Sequence, residues 1–281
     1  MELFKKKLDL ELALDQDRAS GLTIGFVPTM GALHEGHLSL VDRAGAENDR
    51  VVVSIFVNPN QFNDPNDLKN YPRTLEADLA LLTSHRCDYL FLPDVTEIYP
   101  EPDTRKFDFG TLETVMEGRF RPGHFNGVAQ VVSRLFDIVH PNIAYFGQKD
   151  FQQYSIIKRM CALLCFPITI VPCEIVRETD GLAMSSRNAL LTAEHRAVAP
   201  QIYRILQEAL CESVFSTPEE VKIGVSEKIG KIALLRLEYF EIVDELTLQP
   251  VHSWEQKGKK VGCIAVYAGQ VRLIDNLVFD K

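Results

Sequence analysis

The sequence has no long apolar segment, and this absence argues against a membrane-spanning helix. No stretch approaches the roughly 20 consecutive apolar residues that a membrane-spanning helix requires. The opening stretch, MELFKKKLDLELALDQDRA, has acidic residues where a signal peptide needs an apolar run, and it lacks a small-residue cleavage site. We therefore expect it to form an amphipathic surface helix and not a leader.

Cysteine pairs and positive charge are also scarce. The six cysteines are scattered without a CxxC pair, so the sequence suggests neither a zinc site nor a disulfide framework, and a reducing cytoplasm is the expected location. Lys and Arg number 30 against 39 Asp and Glu, which gives a formal net charge of -9. This balance argues against a general nucleic-acid surface, because binding to the phosphate backbone requires clustered Lys and Arg.

Two common phosphate motifs and a common zinc motif are missing as well. The chain contains neither GxxxxGK[ST] nor GxGxxG, and His34 and His37 form HxxH, whereas zinc proteases have HExxH. A zinc site at these histidines would also need a third ligand. The sequence therefore predicts no protein-bound metal, and any phosphate must be held in another way.

What the sequence does contain, over residues 1–176, is an alternation of short apolar runs with helical patterns. Runs such as VVVSIFV lack the polar alternation of a half-exposed strand, which is typical of parallel strands buried on both faces. The segment GVAQVVSRLFDIV predicts a helix with one apolar stripe, formed by Val128, Val131, Val132, Leu135 and Val139. The alternation predicts a doubly wound, Rossmann-like parallel sheet.

The character of the sequence changes after Val176. A polar loop, RETDGLAMSSRN, precedes two helical patterns and three strands with partial alternation, as expected of a small sheet with one solvated face. We therefore predict a nucleotide-binding domain over residues 1–176 and a smaller α+β domain over residues 177–281.

Chemistry-bearing residues follow three of the predicted strands. HEGH comes after LTIGFVPT, NPNQF comes after RVVVSIFV, and GQKD comes after NIAYF. The carboxyl ends of parallel strands meet at one edge of the sheet, which is where ligands bind in such folds. We therefore predict a single ligand crevice lined by these three loops.

The first and third of these loops carry groups suited to phosphate. At the start of a helix, His34 and His37 would share one face, where free N–H groups and the positive end of the helix dipole already favour an anion. Lys149 can reach a phosphate as a point charge, and Asp150 can accept from ribose hydroxyls. The alternatives are ordinary surface or core histidines, and a helix-start Asp beside a solvated Lys.

Two further groups are polar without forming a known motif. Ser185, Ser186 and Arg187 place two hydroxyls beside a guanidinium, which suits a triphosphate but is also ordinary helix-capping chemistry. Asn58 and Gln61 are uncharged amides that can hold hydroxyls or carboxylates, although the Asn-Pro sequence alone also signals a turn.

In combination these segments resemble one enzyme family. PTMGALHEGH, FVNPNQF, YPRTLEADL, RPGHFNGV, YFGQKDFQQ and DGLAMSSRN, in this order, resemble the pantothenate synthetases, or pantoate–β-alanine ligases. The resemblance runs from Gly25 to Leu191. HEGH and MSSRN also look like the HIGH and KMSKS signatures of the wider nucleotidylyl transferase superfamily. One departure is that the family pattern GEKD is GQKD here, which changes the charge at Gln148 and leaves Lys149 and Asp150 in place.

The resemblance implies a two-step, ATP- and Mg²⁺-dependent ligation in which pantoate forms an adenylate and β-alanine then displaces AMP. It implies a homodimer, pantoate contacts from Gln61 and Gln153, and His37 as the catalytic proton donor. We add Asn58 to the substrate-binding residues, and His34, Lys149 and Arg187 to the catalytic donors. The implied ATP site consists of Met30, Gly31, Ala32, Leu33, His34, Glu35, Gly36, His37, Gly147, Gln148, Lys149, Asp150, Val176, Met184, Ser185, Ser186 and Arg187.

Other expectations depend more on chemistry than on the resemblance. A mixed anhydride must be kept from water, so we expect the C-terminal domain to act as a lid through the loop that carries MSSRN. Arg121 and His124 could help to position β-alanine. An apolar wall for the two methyl groups of pantoate could come from Pro28, Met30, Phe62, Val131 and Val132.

Three alternative functions remain open at the level of sequence. The chain could be a nucleotidylyl transferase for a different acid or phosphate ester, a regulatory module that binds nucleotide without turnover, or a metal-dependent hydrolase. The intact HEGH and Lys149 disfavour the regulatory module. The hydrolase would lose activity with a chelator and would not need ATP.

Overall fold

The computed structural model describes residues 1–279, which fall into two compact units. The first unit comprises Met1–Phe109, Arg121–Gln148 and Gln153–Glu174. The second comprises Gly110–Phe120, Lys149–Gln152 and the described residues from Ile175 onward. This division differs from the expected single boundary after Val176, because two short earlier segments belong to the second unit.

The first unit is built on a six-stranded parallel sheet with strand order β1-β4-β3-β2-β5-β6. The predicted doubly wound parallel sheet is therefore confirmed. Strand β2 pairs with β3 on one side and with β5 on the other. The strands are β1 (Glu2–Phe4), β2 (Ile24–Thr29), β3 (Arg50–Ile55), β4 (Tyr89–Phe91), β5 (Ile143–Gly147) and β6 (Thr169–Cys173).

The burial of the strands follows their position in the sheet. Strand β3 is buried from Val51 to Ile55, as the lack of polar alternation in its sequence predicts, whereas the edge strand β6 is mostly half-buried. The opening segment was expected to be helical only. Its first residues instead form the short edge strand β1, which pairs with β4, and the helix begins at Lys7.

The helices of the first unit cover the sheet. Helix α7 contains the predicted stripe, and all five stripe residues are buried. Phe125, Ala129 and Phe136 of the same helix are also buried, so α7 is covered on more than one face. The helices are α1 (Lys7–Ala19), α2 (Glu35–Glu47), α3 (Pro65–Asn70), α4 (Leu75–Thr83), α5 (Val95–Ile98), α7 (His124–Val139) and α8 (Phe151–Leu164), whose first two residues belong to the second unit.

The second unit contains a three-stranded antiparallel sheet with β8 in the centre. This confirms a smaller α+β part at the C-terminal end. The strands are β7 (Leu235–Asp244), β8 (Lys260–Ala268) and β9 (Val271–Phe279), and the helices are α6 (Met116–Phe120), α9 (Ala193–Val198), α10 (Gln201–Glu212) and α11 (Pro218–Gly230).

The expectation of one solvated face is wrong for the central strand. Ile264 and Val266 of β8 lie in an apolar cluster with α10 and α11, and the alternate residues Cys263 and Ala265 lie in a second cluster with Met116. Strand β8 is therefore buried on both faces, because the segment around α6 covers the side that α10 and α11 leave open.

Polar contacts also attach the early segments to the second unit. Arg272 on β9 donates to the Glu117 carboxylate at 2.8 and 2.6 Å, and the Tyr239 hydroxyl donates to the same carboxylate at 2.7 Å. The Gln152 side chain accepts from the Glu117 backbone N–H at 2.9 Å and donates to the Leu112 carbonyl at 2.7 Å. Within residues 1–279, no helix is both long and apolar enough to cross a membrane.

Candidate active site

The chain leaves β2 through a tight turn that leads into α2. Gly31 and Ala32 both have left-handed backbone conformations, with φ of 78° and 50°. The carboxylate of Asp78, which is 1% exposed, accepts from the N–H groups of Ala32 at 3.0 Å and Leu33 at 2.9 Å and from the Thr74 hydroxyl at 3.0 Å. Asp78 therefore fixes a strained turn whose residues were predicted to bind ATP, and sequence reasoning did not identify it.

Two imidazoles lie at the start of α2, directly after this turn. His34 is the N-cap residue, and its Nδ1 atom accepts from the Gly36 N–H at 3.2 Å. A neutral His34 then carries its proton on Nε2. The ring of His37, in the first turn of the helix, lies with its centroid 4.1 Å from that of His34. The two rings sit together at the positive end of a 13-residue helix, which is an arrangement that favours an anion.

The predicted amides lie in a buried turn after β3. Asn58 caps the short 3₁₀-helix Pro59–Gln61, and Asn58 and Gln61 are 1% and 9% exposed. The Asn58 amide donates to Gln61 Oε1 at 3.1 Å, and Gln61 Nε2 contacts the Met30 sulfur at 3.1 Å. The structure thus brings Met30, Asn58 and Gln61 together, although 31 positions separate Met30 from Gln61 in the chain.

Arg121 and His124 contact the backbone of this turn. His124 Nδ1 lies 2.8 Å from the Gln61 carbonyl oxygen, and Arg121 donates to the same oxygen at 3.4 Å. His124 is buried. Both side chains therefore help to hold the main chain of Gln61, and their expected contact with β-alanine stays a prediction.

Helix α7 approaches the same turn closely at Gly127. A Cβ atom added to Gly127 would lie 2.2 Å from the Asn60 carbonyl oxygen and 2.9 Å from the Gln61 Cα. Only glycine fits this contact without a backbone shift. Val131 and Val132, one turn further along α7, are buried. This agrees with an ordinary place in the apolar core, and their contact with pantoate stays a prediction.

The remaining sites of the first unit lie at the end of β5 and in α8. Gly147 ends β5 and pairs with Cys173 of β6, and Gln148 begins a short 3₁₀-helix. Gln153 is half-buried near the start of α8. Its neighbour Gln152 is buried and bonded to the segment before α6, so the two glutamines do not share one role.

In the second unit, Lys149 and Asp150 form an ion pair with 3.3 Å between Nζ and Oδ2. The Asn276 amide donates to the Lys149 carbonyl at 3.1 Å, which ties this turn to β9. The Lys149 side chain is 19% exposed, so its ammonium group keeps partial access to solvent. The alternative considered for these residues was a helix-start Asp beside a solvated Lys, and the phosphate role of Lys149 stays a prediction.

The second unit also brings together Val176 and Met184. The Met184 N–H donates to the Val176 carbonyl at 3.0 Å, and the neighbouring residues Arg177 and Ala183 form a single β-bridge. Arg177 donates to the Asp275 carboxylate at 2.7 and 3.0 Å. The loop that carries these residues is therefore closed at its base.

Ser185 has the capping role that its sequence allows. Its hydroxyl accepts from the Arg187 N–H at 3.3 Å at the start of the 3₁₀-helix Ser186–Leu190. Ser186 and Arg187 are half-buried in that helix. Capping by Ser185 orients the first turn of this 3₁₀-helix. The phosphate contacts expected of Ser186 and Arg187 stay predictions.

Each unit taken by itself therefore holds anion-binding chemistry. The first offers a helix start with two imidazoles and, in the turn after β3, a buried pair of amides, and the second offers Lys149, two hydroxyls and Arg187. Among residues 1–279, no group of three or more His, Cys, Asp or Glu side chains is arranged to hold a metal ion.

Comparison with known proteins gives consistent results. The sequence model of the pantoate-beta-alanine ligase family matches residues 2–278. The pantothenate synthetase of Porphyromonas gingivalis is 55% identical over 280 residues, with 100% of both chains covered. That of Phocaeicola vulgatus is 56% identical over 281 residues, with 99% of both chains covered.

Solved structures agree with these sequence relatives. Pantothenate synthetase from Thermus thermophilus has a TM-score of 0.92 at 44% identity, with 99% of each chain covered. Pantoate-beta-alanine ligase from Francisella tularensis, solved in complex with beta-gamma ATP and beta-alanine, has a TM-score of 0.83 at 36% identity, with 100% of this chain and 98% of that chain covered. These likenesses extend over the whole described chain.

Proposed function

Because the chain belongs to the pantoate–β-alanine ligase family, we propose that it joins pantoate and β-alanine to form pantothenate. In the first step the pantoate carboxylate attacks the α-phosphorus of ATP, which forms pantoyl adenylate and releases pyrophosphate. In the second step the amine of β-alanine attacks the acyl carbon and AMP leaves. Pantothenate therefore carries a new amide bond, and ATP supplies the energy for its formation.

The paired imidazoles of His34 and His37 at the start of α2 are the observation that carries this proposal. A carboxylate is a poor nucleophile toward a polyanionic triphosphate, so the site must hold the reactants in line and neutralise charge. The N–H groups at the helix start and the two imidazoles are positioned donors for this purpose. We propose His37 as the proton donor and His34 as its neighbouring phosphate contact.

The other predicted residues have complementary roles in this proposal. Lys149, Ser186 and Arg187 would stabilise the negative charge that builds up as pyrophosphate leaves. Gln61 and Gln153 would hold pantoate through their amides. The ATP site would include the Met30–His37 segment, Gly147 to Asp150, Val176, and Met184 to Arg187.

We propose Mg²⁺ as the accompanying ion. The donors at the site are cations, imidazoles, hydroxyls and amides, which suit phosphate oxygens, so Mg²⁺ would be held mainly by ATP and water. The ion would neutralise charge on the triphosphate. Cytoplasmic location and a homodimer are likewise proposals, supported by the scattered, unpaired cysteines and by the family, respectively.

The proposed function is tested by following pyrophosphate release from ATP and Mg²⁺ with and without pantoate, before and after β-alanine is added. We expect release that requires pantoate, and AMP with pantothenate after β-alanine is added. His37→Ala should slow the first step by roughly 10²- to 10⁴-fold, the usual contribution of a general acid or base.

His85→Ala is the matched control, because His85 pairs with Asp42 at 2.6 Å outside the predicted site. It should leave the rate near that of the wild type. Folded protein that releases no pyrophosphate with pantoate would contradict the proposal and would direct the search to other acids.

A further inference from the structure

The side-chain amide of Asn58 has all four of its hydrogen-bonding positions occupied by protein. Its Nδ2 atom donates to Gln61 Oε1 at 3.1 Å and to the Gly127 carbonyl at 3.0 Å. Its Oδ1 atom accepts from the Tyr99 hydroxyl at 2.9 Å and from the Asn60 N–H at 3.3 Å. Since the residue is only 1% exposed, it has no remaining group with which to bind a substrate.

Backbone groups decide which end of this amide points where. The Gly127 carbonyl can only accept, so the atom that faces it must be Nδ2. The Asn60 N–H can only donate, so the atom that faces it must be Oδ1. Burial raises the pKa of Tyr99 above its ordinary value, so its hydroxyl keeps the proton that it donates to Oδ1.

The orientation of Asn58 then determines that of Gln61. The second hydrogen of Asn58 Nδ2 needs an acceptor, which Gln61 provides with Oε1, so Gln61 Nε2 must point the other way. It points toward Met30, whose thioether sulfur at 3.1 Å is a weak acceptor. Rotating the Gln61 amide by half a turn would set two NH₂ groups against each other in a buried site, which is unfavourable.

We propose that Asn58 is a positioning residue, held by Tyr99, that makes Gln61 present a hydrogen-bond donor to the ligand beside Met30. This inference rests on the proposed function and adds a chemical requirement to it. The ligand group at Gln61 must be an acceptor, and in pantoate the carboxylate is the group that only accepts at neutral pH. Asn58 acts through Gln61 and does not itself contact pantoate, which replaces the direct contact expected from the sequence.

The first test is a double-mutant cycle that combines Tyr99→Phe with Gln61→Met, with Kd values for pantoate and for ATP measured by calorimetry. Tyr99→Phe keeps the ring, which lies 5.2 Å from the Arg134 guanidinium carbon, and removes only the hydroxyl. We expect the Kd of pantoate to rise about 2- to 12-fold, the cost of one hydrogen bond, with the Kd of ATP unchanged. In the Gln61→Met background Tyr99→Phe should have no further effect.

Tyr145→Phe is the matched control in the first unit. It also removes a buried hydroxyl, which donates to Glu47 at 2.9 Å and accepts from Asn48 at 2.7 Å, but it does not touch Asn58. It should leave the Kd of pantoate unchanged. Additive effects of Tyr99→Phe and Gln61→Met would overturn the proposal, because they would mean that Tyr99 does not act through Gln61.

The polarity of Gln61 is tested with Asn58→Asp and two uncharged analogues of pantoate. At the carboxyl position the methyl ester presents only acceptors, whereas the primary amide can also donate. An ionised Asp at position 58 offers no donor, so Gln61 should turn its Nε2 toward it and present Oε1 to the ligand. The affinity for the amide relative to the ester should then rise about tenfold, a change of about 1.4 kcal/mol, and Gln61→Met should abolish this rise. An unchanged ratio in folded Asn58→Asp would contradict the proposal.

A measurement without ligand separates this proposal from the proposed function. In ligand-free wild type both side-chain N–H protons of Asn58 should exchange slowly with solvent by NMR, and Tyr99→Phe should speed up their exchange. Slow exchange in a protein that makes no pantothenate would refute the proposed function but would still support the hydrogen-bonded orientation assigned to the Asn58 amide. Exchange as fast as that of an exposed asparagine would refute the assignment.

Discussion

At the scale of single residues, the turn after β2 depends on one buried carboxylate. Asp78 accepts from two consecutive backbone N–H groups, at Ala32 and Leu33, and no regular element satisfies these donors. Unpaired N–H groups in a buried site are costly, so a residue from α4 supplies the missing acceptors. Because α2 begins just after this turn, Asp78 also influences where His34 lies.

Asp78→Asn tests this role. An asparagine has one oxygen to offer, so one of the two N–H groups would face an NH₂ group. We expect the free energy of unfolding to fall by roughly 1–3 kcal/mol, the penalty for a buried unsatisfied group, and pantoate-dependent pyrophosphate release to slow. Urea denaturation and initial rates measure the two effects.

The control for this substitution is Asp42→Asn, on the exposed side of α2. The Asp42 carboxylate lies 2.6 Å from Nδ1 of the His85 imidazole near the surface. Its loss should change stability and rate little. Equal behaviour of the two variants would show that the carboxylate of Asp78 does not hold the turn.

At the scale of elements, the contact between α7 and the Pro59–Gln61 turn depends on a missing side chain. The N-terminal turn of α7 lies so close to the loop that a Cβ atom at Gly127 would overlap the Asn60 carbonyl. The same approach places the Gly127 carbonyl where Asn58 donates to it. The packing of one helix therefore determines the geometry of the amides after β3.

Gly127→Ala should disturb both the stability of the first unit and the amide site. We expect a loss of roughly 1–3 kcal/mol in the free energy of unfolding, as for other overpacked cores, and a weaker affinity for pantoate. Urea denaturation and calorimetry provide the measurements.

Gly224→Ala in α11 is the matched control. A Cβ atom there would meet only Glu212 Oε2, at an ordinary 3.7 Å. Alanine should stabilise this helix by up to about 1 kcal/mol relative to glycine. If Gly127→Ala were as benign as Gly224→Ala, the close approach of α7 would not constrain the site.

At the scale of the whole molecule, the predicted donors are divided between the two units. The first unit carries His34, His37 and Gln61, and the second carries Lys149 and Arg187. The loop of residues 177–188 carries Arg187. We propose that this loop responds to substrate.

Limited trypsin digestion tests that response. Cleavage after Arg187 should become several-fold slower when ATP and pantoate are both present, because bound phosphates would hold the loop. Cleavage after Lys257 or Lys259, which are exposed in the β7–β8 loop, should not change. An equal cleavage rate at Arg187 with and without substrates would contradict the lid proposal.

The sequence by itself determined the parallel sheet, the apolar stripe of α7 and the loops in which the polar motifs lie. These features depend on local patterns, since the periodicity of apolar residues within a short segment indicates a buried strand or the apolar stripe of a helix. The predicted histidines were placed side by side for the same reason, because three positions at a helix start bring two side chains to one face.

Only the tertiary structure decided the contacts that orient those side chains. Asp78, which accepts from the turn after β2, is 45 positions from Leu33 along the chain. Tyr99 and Gly127, which bond to the Asn58 amide, are 41 and 69 positions from Asn58. It also decided that β1 adds to the sheet and that the segment Gly110–Phe120 belongs to the second unit. A local pattern records which face of an element is buried but not which distant group will satisfy a buried donor, because that depends on how elements pack in three dimensions.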